Sequence, residues 1–211
     1  MMADGDTVEL PLFPLGLVLL PGEMLPLHIF EERYKHLIAE CRASGDPFGV
    51  VLAGSEGMTA TGCAARVVGV LQEFADGRSN IVVQGGERFR VVDLHPPEQP
   101  DLLPLRATVA YFEDEGGEER PELEREAEQL FARTVEILES EPPEPEAGGL
   151  PTSYAIARAL ELELPVKQRL LQLQDEGRRL ELVIEYLRTL LPRLEVWRSR
   201  KDAIRGNGKA T

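Results

Sequence analysis

The stretch from Leu10 to Cys41 constrains the fold of this chain more than any other part of it. Its first half is apolar but is interrupted by Pro14 and by Pro21–Gly22, and such residues mark turns between short strands. Two short strands are therefore predicted before Pro21–Gly22, the second of them at Leu17–Leu20. A third extended piece is predicted at Met24–Ile29.

An amphipathic helix is predicted directly after these strands. Glu31 and Glu32 open it with negative charge, which the amino-terminal end of a helix dipole favours. Its apolar residues recur at helical spacing and are expected to pack on the strands; they are Phe30, Tyr34, Leu37, Ile38 and Cys41.

This stretch contains four short motifs: Leu-Pro-Leu-Phe-Pro-Leu at 10–15, Leu-Pro-Gly at 20–22, Leu-Pro-Leu at 25–27 and Ile-Phe-Glu-x-Arg-Tyr at 29–34. Together they resemble the LON domain, the substrate-binding N-terminal domain of Lon proteases, which also occurs as a stand-alone protein. Further similarity follows in the family's order at 62–67, 76–78, 86–91 and 155–180. The chain departs from the pattern at Glu32, where the family often has proline.

The segment from Phe48 to Phe112 predicts a small antiparallel sheet. Short runs of β-forming residues alternate with turn signals, of which Asp76–Gly77 is typical of a hairpin. Gly85–Gly86 interrupts what would otherwise be one long strand, as a bulge or a bend does. These strands and the early helix predict a small β-barrel, and the resemblance implies that this barrel is PUA-like.

Beyond residue 116 the apolar residues follow a helical period. Pro121 suits the first turn of a helix that reaches Leu138, and a loop is predicted at 141–149. Three further helices follow: Thr152 or Ser153 would cap one, Pro165 would start the next, and Pro192 would kink or end the last.

The predicted fold class is thus α+β, a PUA-like small antiparallel β-barrel with one packed helix, followed by a helical bundle. The predicted division places the barrel subdomain at 1–115, the helical-bundle subdomain at 116–205 and a flexible tail at 206–211.

Charge and composition limit the class of partner. The formal net charge is −14, and residues 113–146 alone hold 14 acidic and 3 basic residues. Phosphate backbones repel such a surface, so nucleic-acid partners are disfavoured. The basic end, which includes Arg198 and Lys201, is expected to be a solvated helix face rather than a partner of the acidic middle.

The cysteines and the amino-terminal segment indicate the cellular compartment of the protein. Cys41 and Cys63 suit a reducing cytosol better than a disulfide framework. The first residues lack a secretory signal, and no segment approaches the ~20 apolar residues that span a bilayer. A cytoplasmic protein with no membrane partner is expected.

The sequence shows no set of residues at the spacing typical of a catalytic site or a metal site. His28, His36 and His95 are far apart, and neither cysteine has the CxxC spacing of a zinc site. Gly206–Lys209 lacks the spacing and context of a phosphate loop. We therefore expect no enzyme activity, no cofactor and no metal. A small-molecule or hydrolase site built on the cysteines and histidines is kept as an alternative.

The resemblance implies a non-catalytic module that binds polypeptide, either unfolded or regulated proteins or a protease or ATPase partner. An extended chain would lie along an edge strand of the barrel. The candidate contact residues are Leu15, Leu17, Met24, Phe30 and Tyr34. For Tyr34, a role in packing is favoured over a role in binding. Two alternatives stay open: an RNA-binding PUA-like module, and self-association through the last helix.

Overall fold

The computed structural model describes residues 7–139 and 150–207, with side chains described as far as Lys201. The predicted loop at 141–149 and the last four residues of the predicted tail lie outside the described residues. The chain divides into two compact units, one of residues 1–113 with 162–172 and one of residues 114–161 with 173–211.

Six strands and five helices form in the described residues. The strands are β1 (Thr7–Leu15), β2 (Met24–Ile29), β3 (Phe48–Gly54), β4 (Gly57–Glu73), β5 (Ser79–His95) and β6 (Leu105–Phe112). The helices are α1 (Glu32–Ser44), α2 (Pro121–Leu138), α3 (Thr152–Ala157), α4 (Leu164–Gln172) and α5 (Glu176–Asn207). The α+β class is confirmed, and so is the predicted extent of α2.

The strands of the first unit form one mixed sheet in the order β2-β5-β4-β3-β1-β6. All neighbours are antiparallel except β1 and β3, which are parallel. A further pairing joins β5 to β6, so β5, β4, β3, β1 and β6 make a ring of paired strands. Strand β2 lies outside this ring and, among the described strands, pairs only with β5.

Strand β5 takes part in both arrangements along its 17 residues, and a bulge in its pairing with β4 lies between the two halves. Cys63 lies opposite Arg88 while Ala65 lies opposite Gly85, so β5 has one more residue than β4 between these pairs. The predicted bulge at Gly85–Gly86 is confirmed, within a single strand rather than between two. The first half of β5 pairs with β2, and the second half pairs with β6.

Strand β1 runs through Pro11 and Pro14, whereas the sequence predicted a turn at Pro14. Pro11 is paired with β6 but precedes the pairing with β3, and Pro14 is paired with β3 after the pairing with β6 has ended. Each proline therefore lies where β1 is paired along one edge only. A proline is tolerated in a strand where its nitrogen, which carries no hydrogen, faces an unpaired edge.

The predicted strand at Leu17–Leu20 is wrong. This segment connects β1 to β2 without pairing, and Val18, Leu19 and Leu20 are buried. Its apolar character reflects burial in the core and not a place in the sheet.

The core of the sheet is centred on Phe89. A Cβ atom added at Gly62 would lie 2.5 Å from the Phe89 ring, and one at Gly49 would lie 2.6 Å from it. Both glycines therefore leave the space that the ring fills. The buried residues packed together here are Leu10, Leu12, Val51, Ala64, Phe89, Ala107 and Val109.

Helix α4 belongs to the first unit, although the predicted division assigned it to the bundle. Lys167 Nζ pairs with Glu23 Oε1 at 2.6 Å, and Gln168 Nε2 donates to the Thr61 carbonyl at 3.1 Å. Arg88 donates to the Leu171 carbonyl at 3.4 Å. The helical period of apolar residues in this nine-residue helix predicts that one of its faces is buried. It does not predict which of the two units buries that face.

The second unit is organised around Arg179, whose side chain is fully buried. Its guanidinium donates to Asp114 Oδ1 at 2.7 Å and pairs with Glu176 Oε2 at 2.8 Å. It also donates to Ser153 Oγ at 3.1 Å and lies 4.7 Å from the centre of the Tyr154 ring. One cation thus joins α3, α5 and the segment before α2.

Two helix boundaries in this unit differ from those expected; for the last helix the expectation was a kink or an end at Pro192. Thr152 and Ser153 lie inside α3 after Pro151, with no side-chain cap, because Ser153 instead donates to Glu176. Helix α5 continues past Pro192 to Asn207, into the region predicted as a tail.

The basic end of α5 contacts the acidic helix α2, contrary to the expectation of a solvated face. Arg198 lies 3.9 Å from Glu136, and Lys201 lies 3.1 Å from Glu139. Part of the opposite charge in the two segments is therefore paired within the unit.

We expect Gly85→Ala to lower the free energy of unfolding by about 2 kcal/mol or more. A Cβ at Gly85 would overlap the Leu20 carbonyl, and relief would break the bonds of Gly85 to Gly22 and Glu23. Gly86→Ala is the matched control, because its Cβ would make an ordinary contact at 3.5 Å. Urea denaturation measures both variants, and equal losses would refute this account of the bulge.

We expect Arg179→Met to destabilise the second unit by about 3–5 kcal/mol, because it leaves two carboxylates without their buried cation. Arg188→Met is the control: its exposed pair with Glu126 contributes at most about 1 kcal/mol. Thermal unfolding compares them, and similar losses in the two variants would contradict the role given to Arg179.

Candidate functional site

The structure places the five candidate contact residues in three separate locations. Tyr34 lies in the core, where its ring stacks on Phe13 with centroids 3.9 Å apart. Burial raises the pKa of its hydroxyl, an effect that the neighbouring Arg33 partly offsets. Its ring is therefore not accessible to a ligand, because the helical period of α1 turns it toward the sheet.

Leu15 and Leu17 flank Gly16 at a cleft of about 440 Å³ in the first unit. The turn between β3 and β4 forms most of its wall, with Leu52 and Met58 among the apolar side chains that line it. Leu15 and Leu17 are themselves half-buried. The cleft has room for an apolar side chain.

Met24 and Phe30 lie on or beside strand β2, and both are exposed, at 50% and 58%. The sequence assigned Phe30 to the packed face of α1, and this is wrong. Phe30 precedes the residue that caps the helix, Glu31, so its side chain is not held against the sheet by the helical period.

Side chains of β2 alternate between the core and solvent. Leu25, Leu27 and Ile29 are half-buried or buried, whereas Met24, Pro26 and His28 are exposed. We call the surface formed by Met24, Pro26, His28 and Phe30 the β2 face.

Polar and aromatic contacts fix the far end of the β2 face. His28 Nδ1 lies 2.6 Å from Asn80 Oδ1, and Asn80 Nδ2 donates to Gln72 Oε1 at 3.4 Å. The His28 ring stacks on Phe30 with centroids 5.8 Å apart, and Phe74 meets it edge-on at 6.1 Å. The exposed Phe30 ring is thus stacked against a residue of the paired strand β2.

Sequence reasoning missed the place of His28 and Phe74 in this surface. His28 was considered as a metal ligand and, in preference, as a structural or solvent-facing residue, whereas Phe74 was predicted only as a strand residue. A signal was present for Phe74, because it stands just before the predicted Asp76–Gly77 turn, and the hairpin brings the ends of β4 and β5 beside β2.

The cysteines are not placed for nucleophilic chemistry. Burial raises the pKa of the Cys63 thiol to about 12, and burial together with Glu40 and Asp46 raises that of Cys41 to about 11. Both thiols are therefore protonated at neutral pH. They do not supply the thiolate that the hydrolase alternative requires.

The histidines are equally dispersed. His36 lies 3.2 Å from the Leu102 carbonyl and His95 lies 2.8 Å from Thr108 Oγ1, whereas His28 contacts Asn80. In the part of the chain that the structure describes, no cluster of histidine, cysteine and carboxylate side chains is arranged to hold a metal. Nor does any helix there have the length and apolar content needed to cross a bilayer.

Comparison with known proteins places this geometry in a family. Residues 9–189 match the family model of the ATP-dependent protease La (LON) substrate-binding domain. Lon protease 2 of Myxococcus xanthus is 30% identical over 96% of this chain, and the Lon protease of Anaeromyxobacter dehalogenans is 29% identical over 96%. The chain spans only 26% of the length of each of these relatives.

Solved structures agree with this match. A Lon N-terminal domain protein from Xanthomonas campestris superposes with a TM-score of 0.67 at 30% identity, covering 85% of this chain and 98% of that one. The N-terminal domain of a Mycobacterium avium complex Lon protease gives a TM-score of 0.61 at 17% identity, with the same coverage, and supports the fold alone. From the family match and these neighbours together, the chain belongs to the LON substrate-binding domain family.

Proposed function

We propose that this chain is a non-catalytic, cytoplasmic module that binds polypeptide through the β2 face. The observation that carries the proposal is the pair of exposed apolar side chains of Met24, on the paired strand β2, and Phe30, the residue directly after that strand. Membership of a substrate-binding family supports the same conclusion. The partners we propose are unfolded or regulated proteins, or a protease or ATPase that acts on them.

The chemistry of the β2 face suits apolar segments of polypeptide. About half of the Met24 and Phe30 side chains remains accessible, and covering that area contributes on the order of 1 kcal/mol for each residue. Pro26 adds a further exposed apolar surface between them. Such a surface selects for apolar character without reading a fixed sequence.

The cleft beside Leu15 and Leu17 is proposed as a second contact for the same polypeptide. Its wall combines apolar side chains with the bare backbone of Gly54 and Gly57. A Cβ added at Gly54 would meet nothing within 4 Å. The cleft is therefore open at this wall and can receive a side chain.

We expect Phe30→Ser and Met24→Ser each to weaken binding of an unfolded polypeptide about five- to tenfold, because each removes roughly 1 kcal/mol of apolar contact. The probe is fluorescently labelled, reduced and carboxymethylated α-lactalbumin, which cannot refold. Fluorescence anisotropy without ATP gives the dissociation constants.

Val92→Ser is the matched control. Val92 is 60% exposed on the second half of β5, roughly 25 Å along the strand from the last residue paired with β2. Its dissociation constant should equal that of the unmodified protein. No measurable binding by the unmodified protein, or equal losses in all three variants, would overturn the proposal.

A further inference from the structure

We propose that polypeptide binds as an added strand on the open edge of β2, main chain to main chain. This inference rests on the proposed function and names how the bound segment is held. Strand β2 has β5 as its only partner among the described strands. The other edge of β2 is therefore the place where a further strand can pair.

The hydrogen bonds next to β2 show which of its backbone groups face that edge. Gly85 N donates to the Glu23 carbonyl at 2.9 Å, so the carbonyl of Glu23 points toward β5 at the start of the antiparallel ladder. In such a ladder every second pair is hydrogen-bonded. The backbone groups of Leu25, Leu27 and Ile29 therefore point toward β5.

The intervening residues turn their backbone groups the other way, toward the open edge. They are Met24, Pro26 and His28. Pro26 agrees with this assignment, since a proline costs no ladder bond only where its nitrogen faces away from the partner strand. The open edge thus offers two N–H groups, of Met24 and His28, and three C=O groups.

These groups repeat at the spacing of an extended chain. Met24 and His28 are about 14 Å apart along the strand, with the Pro26 carbonyl between them. An extended polypeptide supplies donors and acceptors in the same alternation, and a helix or a nucleic acid does not. The geometry therefore selects a strand-forming segment.

Pro26 also argues against a second copy of this chain as the occupant. If two β2 strands paired about their centres, the two prolines would lie opposite each other and neither could donate. A different polypeptide loses only the single bond that Pro26 cannot make. Pairing of the open edge of β2 with the same edge of a second copy is thus disfavoured. Open sheet edges in soluble proteins commonly carry such protection against pairing with each other.

The added strand would also extend the β2 face. Alternate side chains of a bound segment would lie beside Met24, Pro26 and His28 on the exposed side of the sheet. Apolar residues at every second position of the segment are therefore favoured. Proline at the positions that face the open carbonyls is disfavoured, because it has no N–H to donate.

Amide hydrogen exchange of the full chain, with and without carboxymethylated α-lactalbumin, tests the inference. We expect exchange at the Met24 and His28 amides to slow at least tenfold on binding. Leu25 and Leu27 amides, already bonded to β5, should change little. Binding with unchanged exchange at Met24 and His28 would overturn strand addition.

A pair of substitutions at one position provides the second measurement. His28→Pro removes an open-edge N–H without removing a bond to β5, and His28→Thr keeps the N–H while losing the same ring. We expect the proline variant to bind the probe at least tenfold more weakly than the threonine variant, with equal thermal stability. Equal binding by the two variants would contradict strand addition.

Phe30→Ser separates this inference from the proposed function. Loss of binding in Phe30→Ser with equal binding by the two His28 variants would mean that the β2 face binds polypeptide through side chains alone. Unchanged binding in Phe30→Ser would instead count against the proposed function itself.

Discussion

The close approach of Gly85 to the Leu20 carbonyl is the constraint on which the first unit depends. Only a residue without Cβ fits there, at the point on β5 that lies between its pairing with β2 and its pairing with β6. The ring of paired strands closes through β6, so β2 remains outside with one edge unpaired. The surface that we propose for binding lies on this outer strand.

Local signals in the sequence predicted much of this architecture. Pro121 and the helical period after it predicted α2, and the double glycine predicted the bulge in β5, because both depend on neighbouring residues. Pro14 misled the prediction for β1, since a proline within a strand is tolerated or not according to which edge of that strand is paired. That information is in the topology and not in the local sequence.

Long-range relations account for the other differences. The apolar period of α4 is the same whichever unit it packs on, and only contacts such as Lys167 with Glu23 assign it. Arg179 is one of many arginines until folding brings Asp114 and Glu176 to it. For the candidate site, Met24 was predicted as an apolar residue near a loop, whereas the exposure of Phe30 depends on where helix α1 begins.

The first unit is a sheet that presents one apolar face and one open strand edge; its two cysteine thiols are protonated at neutral pH, and its described residues hold no metal cluster. Intermolecular NMR contacts between the isotope-labelled chain and an unlabelled, bound unfolded polypeptide test the proposed binding at that edge most directly. The account predicts contacts from the backbone of the bound segment to residues 24–28. Contacts confined to the helices of the second unit would contradict it.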